Sequence, residues 1–401
     1  MSMFLRTVKH KLSFGLTKFL VQFMPGASYM TFVGAGSSRQ LCHLINNTGA
    51  AKVLVVTDKP LRELGVVDTA VAALLDAGVD VNFYDGVLPD PTYDQVKEGV
   101  AVMREHGSEV VLAIGGGSSM DAAKIIAASF ASDEDPRDWV GFGKVKHDLP
   151  RIYAIPTTSG TGSEATMGAV ISDPVSHEKG VISGKTLLPA AIALDTDLLM
   201  GLPAHITAAT GMDALTHGIE AYIGTWERGT RKEDARAAIK MIFDHLETAV
   251  SDGSNKEARE AMAIAAFYAG QAINQVNVGN VHAIAHQIGG KYGIPHGLAN
   301  SLVLPHVLEF CREEAQKELA ELALLVGAGA PGDSEEQLSY AFITAVKDLR
   351  TAVHIEAHSD KIKKEDFDHL AELAMAEGDG YAVPRLLDRD STLAILDQLA
   401  V

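Results

Sequence analysis

Cysteine is scarce in this chain: Cys42 and Cys311 are the only two among 401 residues. They lie far apart and form no CxxC spacing, so the sequence offers no disulfide framework and fits a reducing cytoplasm. Basic charge is also short. Lys and Arg number 34 against 52 Asp and Glu, and the net charge of −18 repels phosphates, which argues against a nucleic-acid binder. No segment reaches the ~20 apolar residues that cross a bilayer. Low-complexity linkers and internal repeats are missing too. The first 25 residues, MSMFLRTVKHKLSFGLTKFLVQFMP, interrupt every apolar run with charge and carry no small-residue cleavage site, a poor fit to a signal peptide. They read as a basic amphipathic helix packed on the protein's own surface, with peripheral contact to a membrane or partner as the alternative.

What is present is apolar content and pattern. Hydrophobic residues make up 47% of the chain, enough for sizeable cores, and the length suits two domains. Between residues 30 and 204, short β-branched runs at 52–58, 79–85, 109–117, 151–158 and 190–195 alternate with helical stretches at 61–77, 92–106 and 118–130. That alternation predicts an α/β domain with a mostly parallel sheet, whose ligands bind beyond the carboxyl ends of the strands. From 205 to 401 the stretches 228–250, 255–278, 298–327, 334–351 and 363–375 repeat at helical period, and an all-α second domain is expected. Residues 1–29 stand outside both as an N-terminal extension.

Several loops carry polar or glycine-rich chemistry. In VVLAIGGGSSMDAAK, Gly115, Gly116 and Gly117 lie between a buried strand and a helix that Ser118 can cap. Backbone N–H groups there can approach an anion, helped by the helix dipole. The spacing is not GxGxxG, and Lys124 lies one turn too deep for a P-loop. GAGSSR at 34–39 is another near miss. Tight strand-to-helix turns need glycine anyway, so a purely structural turn competes with the phosphate reading. Asp58 ends the strand of VVTDK; it can accept from a ribose 2′-hydroxyl or simply cap a helix. PTTSGTGSE follows another strand and offers Thr157, Thr158, Thr161 and Ser163 hydroxyls.

The helical half concentrates metal-ligand chemistry. Asp213 and His217 are four apart in GMDALTHGIEAYI, on one helix face. His282 and His286 repeat that spacing in NVHAIAHQIGGKYGIPHG, and His296 follows in the next loop. A carboxylate oxygen with several imidazole nitrogens suits a divalent ion. Each pair alone is equally a surface hydrogen bond, a cap or a satisfied core histidine.

The combination of VVTDK, GVLPDPT, AIGGGSSMDAAK, PTTSGTGSE, GMDALTHGIEAY and NVHAIAHQIGGKYGIPHGLANSLVLPHV, in that order, closely resembles the iron-containing (group III) alcohol dehydrogenase family. The similarity runs from about residue 30 to the C-terminus. It implies an NAD-binding α/β domain, a helical metal domain and an active site in the cleft between them. It assigns the metal ligands as Asp213, His217, His282 and His296, holding iron(II) (Fe2+) with zinc as the alternative. His286 is placed near the nicotinamide as the catalytic proton-handling group. Cofactor contacts are implied for Asp58, Asp90, Gly116, Gly117, Ser118, Thr157, Thr158 and Lys179. Asp90 departs from the Asn that many members carry, which removes an amide donor and adds a charge.

The resemblance implies hydride transfer between a primary alcohol, or a small diol, and C4 of NAD, with the metal as Lewis acid on the substrate oxygen. It also implies a homo-oligomer, a dimer or a larger assembly. A carbon–oxygen lyase of the dehydroquinate-synthase kind shares this architecture and is the alternative from another class. Glycerol dehydrogenase and maleylacetate reductase are the alternative subtypes, and a silent NAD- or metal-binding protein is a third possibility, disfavoured by the intact ligand set.

Overall fold

The computed structural model of the chain describes Arg6 and residues 29–175, 178–226 and 229–401. The expected N-terminal helix falls, apart from Arg6, outside the described residues. No helix among those described is long and apolar enough to cross a membrane. The chain divides into two compact units: Ala27–Pro203 with Gly253–Gly270, and Ala204–Asp252 with Gln271–Val401.

The first unit is built on a six-stranded, all-parallel sheet. Its strands are β1 (Met30–Val33), β2 (Lys52–Val56), β3 (Asp80–Tyr84), β4 (Val110–Gly115), β6 (Arg151–Pro156) and β9 (Ala191–Leu194), in the order β1-β9-β6-β4-β2-β3. A three-stranded sheet of β5 (Gly141–Phe142), β8 (Lys179–Ser183) and β7 (Gly168–Ser172) stands beside it. Neither this small sheet nor β1 is visible in the residue pattern, because β1 has four residues and the Gly- and Ser-bearing β7 and β8 lack a long β-branched run.

Strand alternation separates two cores. Val53, Val55, Leu112, Ile114, Tyr153 and Ile155 share one cluster with Leu41, Cys42 and Ile45 of α1 (Ser37–Asn47) and Val71 and Leu74. Leu54, Val56, Val111, Ala113, Ile152 and Ala154 share the other with Val96, Val100 and Met103 and with Met120, Ala123, Ile126 and Ala127. Odd and even neighbours face opposite sides because the strand period is two. A sheet covered on both faces reads as continuous apolar runs, which explains the legibility of these strands. The helical stretch expected over 61–77 is interrupted: α2 (Lys59–Glu63) and α3 (Val66–Asp76) are separated at Gly65, whose φ of 74° lies in the left-handed region. The next two helices, α4 (Tyr93–His106) and α5 (Gly117–Phe130), follow the expected pattern.

Lys124 of α5 has a structural task. Its ammonium is buried and donates to Ser163 O (2.7 Å), Ser163 Oγ (2.9 Å), Thr166 Oγ1 (3.2 Å) and Gly168 O (2.6 Å). Asp121, one turn earlier, accepts from Ser163 Oγ and from the Val170 amide. Burial pushes the Lys124 amine down to about 8, against the pull of Asp121 and Glu164. The pair pins the PTTSGTGSE loop to the first turns of α5.

The second unit is helical. Its elements are α6 (Ala204–Ile223), α7 (Arg231–Ser251), the end of α8 (Lys256–Val276), α9 (Asn280–Tyr292), α10 (His296–Phe310), α11 (Gln316–Val326), α12 (Glu335–Ala352), α13 (Phe367–Gly378) and α14 (Arg389–Leu399). The stretch expected over 298–327 is two helices, α10 and α11, divided by a turn at 311–315. Helix α6 is buried from Gly211 through Ile223 on every face. Such a helix is normally apolar all round. This one carries Asp213, His217 and Glu220 on a single face, and each needs a partner.

His306 of α10 gives a pH test. Burial drives its imidazole down to about 4; Arg350, Lys347 and His358 act the same way and Glu309 opposes. The unfolded imidazole, near 6.5, binds a proton that the folded one refuses, so stability is intact above pH 6.5 and falls as pH drops toward 4. The expected slope from this group is about 1.4 kcal/mol per pH unit. His306→Gln should flatten the fall, read as urea midpoints at pH 7 and 4.5; an unchanged difference between the two midpoints would contradict the assignment.

Candidate metal centre and strand-end loops

The four residues assigned as ligands come together within the helical unit. One donor atom from each of Asp213, His217, His282 and His296 lies within 4.8 Å of the others. Helix α6 brings Asp213 and His217, α9 brings His282, and His296 opens α10. A Cβ on Gly297 would strike the Ala209 carbonyl and sit 3.2 Å from the Asp213 Cβ, so only glycine lets the start of α10 approach α6 this closely. His282 Nε2 stands 3.0 Å from His217 Nε2, and His296 Nε2 stands 3.5 Å from Asp213 Oδ1. Asp213, His217 and His282 are buried, whereas the His296 side chain keeps 33% of its exposure. The cluster therefore has one open side.

The donor chemistry fits a divalent cation. One carboxylate oxygen and three imidazole nitrogens face a common space, and with their lone pairs turned inward they form a donor set for a positive ion. The Asn300 amide, one turn along α10 from His296, meets part of that demand. Its Nδ2 lies 2.6 Å from Asp213 Oδ1, 3.2 Å from His282 Nε2 and 3.1 Å from His296 Nε2. Among the described residues its Oδ1 is buried without a hydrogen-bond partner. Two amide protons serve three acceptors, and the amide's own acceptor goes unused. Burial holds the His282 imidazole well below its usual range, with His217, His296 and His286 adding to the effect, so its neutral, metal-binding form prevails.

His286 is beside the cage and outside its donor set. Its ring stacks on His296 with centroids 5.3 Å apart. Its Nδ1 lies 2.6 Å from Glu377 Oε1, and Glu377 also accepts from Tyr381 Oη (2.6 Å) and Gln287 Nε2 (2.7 Å). Asn300, Glu220 and Glu377 are missed by the sequence reading. Glu220 and Asn300 carried a signal, each lying one helical turn from an assigned histidine; Glu377 comes from α13 and had none.

The cofactor candidates occupy the other unit. Asp58, the Gly116–Gly117–Ser118 turn, and Thr157 and Thr158 follow the carboxyl ends of β2, β4 and β6, three adjacent strands. Asp58 is the N-cap of α2, accepting from the Leu61 amide at 2.9 Å, so the capping reading of this residue holds. Burial raises its carboxyl above the usual range while that amide lowers it. Ser118 is not the cap of α5: Gly116 is, without a side-chain bond, and Ser118 lies inside the first turn. The helix starts earlier than expected because Gly115, at φ 151°, turns the chain sharply at the strand end. Protein atoms account for the glycines. A Cβ on Gly117 would lie 2.6 Å from Thr161 Cγ2, and one on Gly116 would lie 3.3 Å from Thr158 Oγ1. The near-miss GAGSSR loop is filled by the chain itself: the Asp195 carboxylate accepts from the amides of Gly36 and Ser38, both at 2.9 Å.

Lys179 and Asp90 meet each other, with Nζ 2.6 Å from Oδ1. Asp90 has φ 55°, a left-handed position that Asp and Asn tolerate better than most residues. The pair is partly exposed, worth about 0.2–1 kcal/mol.

The family model for iron-containing alcohol dehydrogenase matches residues 29–196, and that for the C-terminal part of the Fe-containing alcohol dehydrogenase family matches residues 207–400. The chain is 38% identical over 361 residues to a 1,3-propanediol dehydrogenase of Klebsiella pneumoniae, covering 89% of this chain and 92% of that one. A crystal structure of a 1,3-propanediol oxidoreductase superposes with TM-score 0.90 at 36% identity, covering 94% of this chain and 100% of the other. A sulfoacetaldehyde reductase from Bifidobacterium kashiwanohense in complex with NAD+ superposes with TM-score 0.83 at 26% identity, covering 94% and 99%. The chain belongs to the iron-containing alcohol dehydrogenase family and is an alcohol–aldehyde oxidoreductase.

Two substitutions test the strand-end loops. Asp90→Asn keeps the left-handed backbone and releases Lys179; the KM for NAD should fall about two- to fivefold with kcat unchanged. An unaltered KM would mark the pair as a surface strut. Asp58→Gly costs only a few tenths of a kcal/mol as a cap. It should raise the NADP/NAD ratio of kcat/KM by at least about tenfold, ~1.4 kcal/mol, and a constant ratio would remove Asp58 from ribose recognition.

Proposed function

We propose that this protein is a metal-dependent, NAD(H)-linked dehydrogenase that interconverts a primary alcohol, or a small diol, with its aldehyde. The observation that carries the reading is the cage of Asp213, His217, His282 and His296, three of them buried and one facing an open side. These four would hold iron(II); zinc, which binds such donors more tightly, is the alternative occupant. A divalent ion held there supplies a Lewis acid to the oxygen of an alcohol or carbonyl. The nicotinamide supplies the hydride acceptor or donor. The choice of NAD is supported by the NAD+-bound sulfoacetaldehyde reductase and by the acidic Asp58 at a strand end, which suits a ribose hydroxyl and repels a 2′-phosphate. The small-diol option is supported by the likeness to 1,3-propanediol dehydrogenase.

The chain's own residues divide the remaining work. Glu377 holds His286 at Nδ1, so the ring meets substrate through Nε2, the atom at which it takes up or returns the hydroxyl proton. The glycine turn and the Thr157–Thr158 hydroxyls take the cofactor's pyrophosphate, a reading supported by their place after the carboxyl ends of two adjacent strands. Two buried free thiols fit a reducing cytoplasm. A homo-oligomer, a dimer in the simplest case, is supported by β1, an edge strand with Met30 and Val33 half exposed.

The test is a panel of primary alcohols and small diols with NAD, run on iron- and zinc-loaded protein, with aldehydes and NADH in reverse. NADH should form with at least one alcohol; none across the panel would favour the lyase architecture's redox-neutral chemistry. His282→Ala and His296→Ala should each lose metal and turnover together. Full turnover without metal would overturn the cage assignment.

A further inference from the structure

Glu220 lies three residues beyond His217 on α6, 5% exposed, with its carboxylate taken up by three donors. The amide of Gly279 donates to Oε2 at 2.8 Å, the amide of Val281 donates to Oε1 at 2.6 Å, and His282 Nδ1 lies 2.6 Å from Oε2. The start of α9 has no side-chain cap of its own at Gly279, and Glu220 from another helix fills that place. The approach is close enough to dictate the residue opposite: a Cβ on Gly279 would stand 2.8 Å from Glu220 Oε1. Two backbone N–H groups and an imidazole nitrogen converging on two oxygens favour a carboxylate, against the burial that pushes the Glu220 acid up to about 8.

A neutral imidazole donates from one nitrogen and accepts at the other. A carboxylate at Nδ1 draws the proton there and leaves the Nε2 lone pair for a ligand position. His282 Nε2 is the atom that joins the donor cluster. His217 contrasts with it, since its Nδ1 is buried with no hydrogen-bond partner among the described residues. Of these two facing imidazoles, His282 alone has its tautomer set by an acid.

We propose that Glu220 is a positioning residue for the metal centre: it locks His282 as the Nδ1–H tautomer with Nε2 turned to the ion, and thereby sets the affinity of the cage. Helix α6 then presents two ligands directly, Asp213 and His217, and orients a third, all from positions i, i+4 and i+7 of one face. The proposal rests on reading the four residues as a metal site.

Zinc(II) is the probe, titrated into the full-length metal-free protein against a chromophoric chelator, with turnover left out of the readout. Glu220→Gln should weaken zinc binding about 10- to 100-fold. In the 15N spectrum of the zinc-loaded wild type, His282 should show a protonated Nδ1, and that signature should be lost or mixed in the variant. Gly279→Ala, which pushes the carboxylate away without removing it, should weaken zinc in the same sense and serves if Glu220→Gln does not fold. Asp213→Ala is the reference and should abolish binding. If Asp213→Ala abolishes binding while both other variants stay within about twofold of wild type, Glu220 is only a helix cap and the proposal falls with the site intact. If Asp213→Ala still binds zinc with wild-type affinity, the metal site itself is misassigned and the proposal falls with it.

Discussion

The helical unit depends on one electrostatic constraint: a carboxylate oxygen and three imidazole nitrogens share a small, largely buried space. Nothing apolar can compensate such a group of acceptors, and each buried polar atom left unpaired costs about 1–3 kcal/mol. The surrounding structure is organised around meeting that demand. Helix α6, buried on all faces from Gly211 onward, presents its polar residues at helical spacing. Gly297 permits the start of α10 to reach it, and Gly279 permits Glu220 to reach the start of α9. The Asn300 amide donates into the cluster while its own oxygen goes without a partner among the described residues. A network this incompletely satisfied by protein atoms is what a cation site looks like when described by its side chains alone.

The α/β unit answers a different constraint. A parallel sheet buried on both faces leaves its chemistry to the loops beyond the strand ends. Three neighbouring strands deliver Asp58, the glycine turn and the threonine pair there. The loop after β6 is tied down by the buried ammonium of Lys124 and by Asp121, which replace solvent contacts with fixed donors and acceptors. Rigid attachment of a polar loop is a prerequisite for presenting hydroxyls to a ligand with defined geometry.

Most of the architecture was legible because it follows from periodicity. Strands covered on both faces are unbroken apolar runs, and the sheet strands expected at 52–58, 109–117 and 151–158 are β2, β4 and β6. Periodicity failed where elements were short, as for β1 and the small sheet. It also failed where a single residue overrode the pattern, as Gly65 does between α2 and α3. Cap chemistry shows the same limit: Ser118 has the right residue type for an N-cap, but the backbone at Gly115 moved the helix start ahead of it.

For the site, the chain's own order determined the helix-face pairs. Asp213 with His217, and His282 with His286, are neighbours on any helix because of its 3.6-residue turn. Which members face a common point is a matter of how helices cross, and spacing carries no information about that. Only the packed structure set His282 Nε2 toward His217 while turning His286 Nδ1 to Glu377, 91 residues away. The same holds for Asp90 and Lys179, whose opposite charges were visible as letters but whose contact is made across 89 residues of chain. Local spacing is written in the sequence because covalent geometry enforces it. Convergence of distant groups is decided by tertiary packing, where burial and the need to satisfy buried polar atoms select one arrangement.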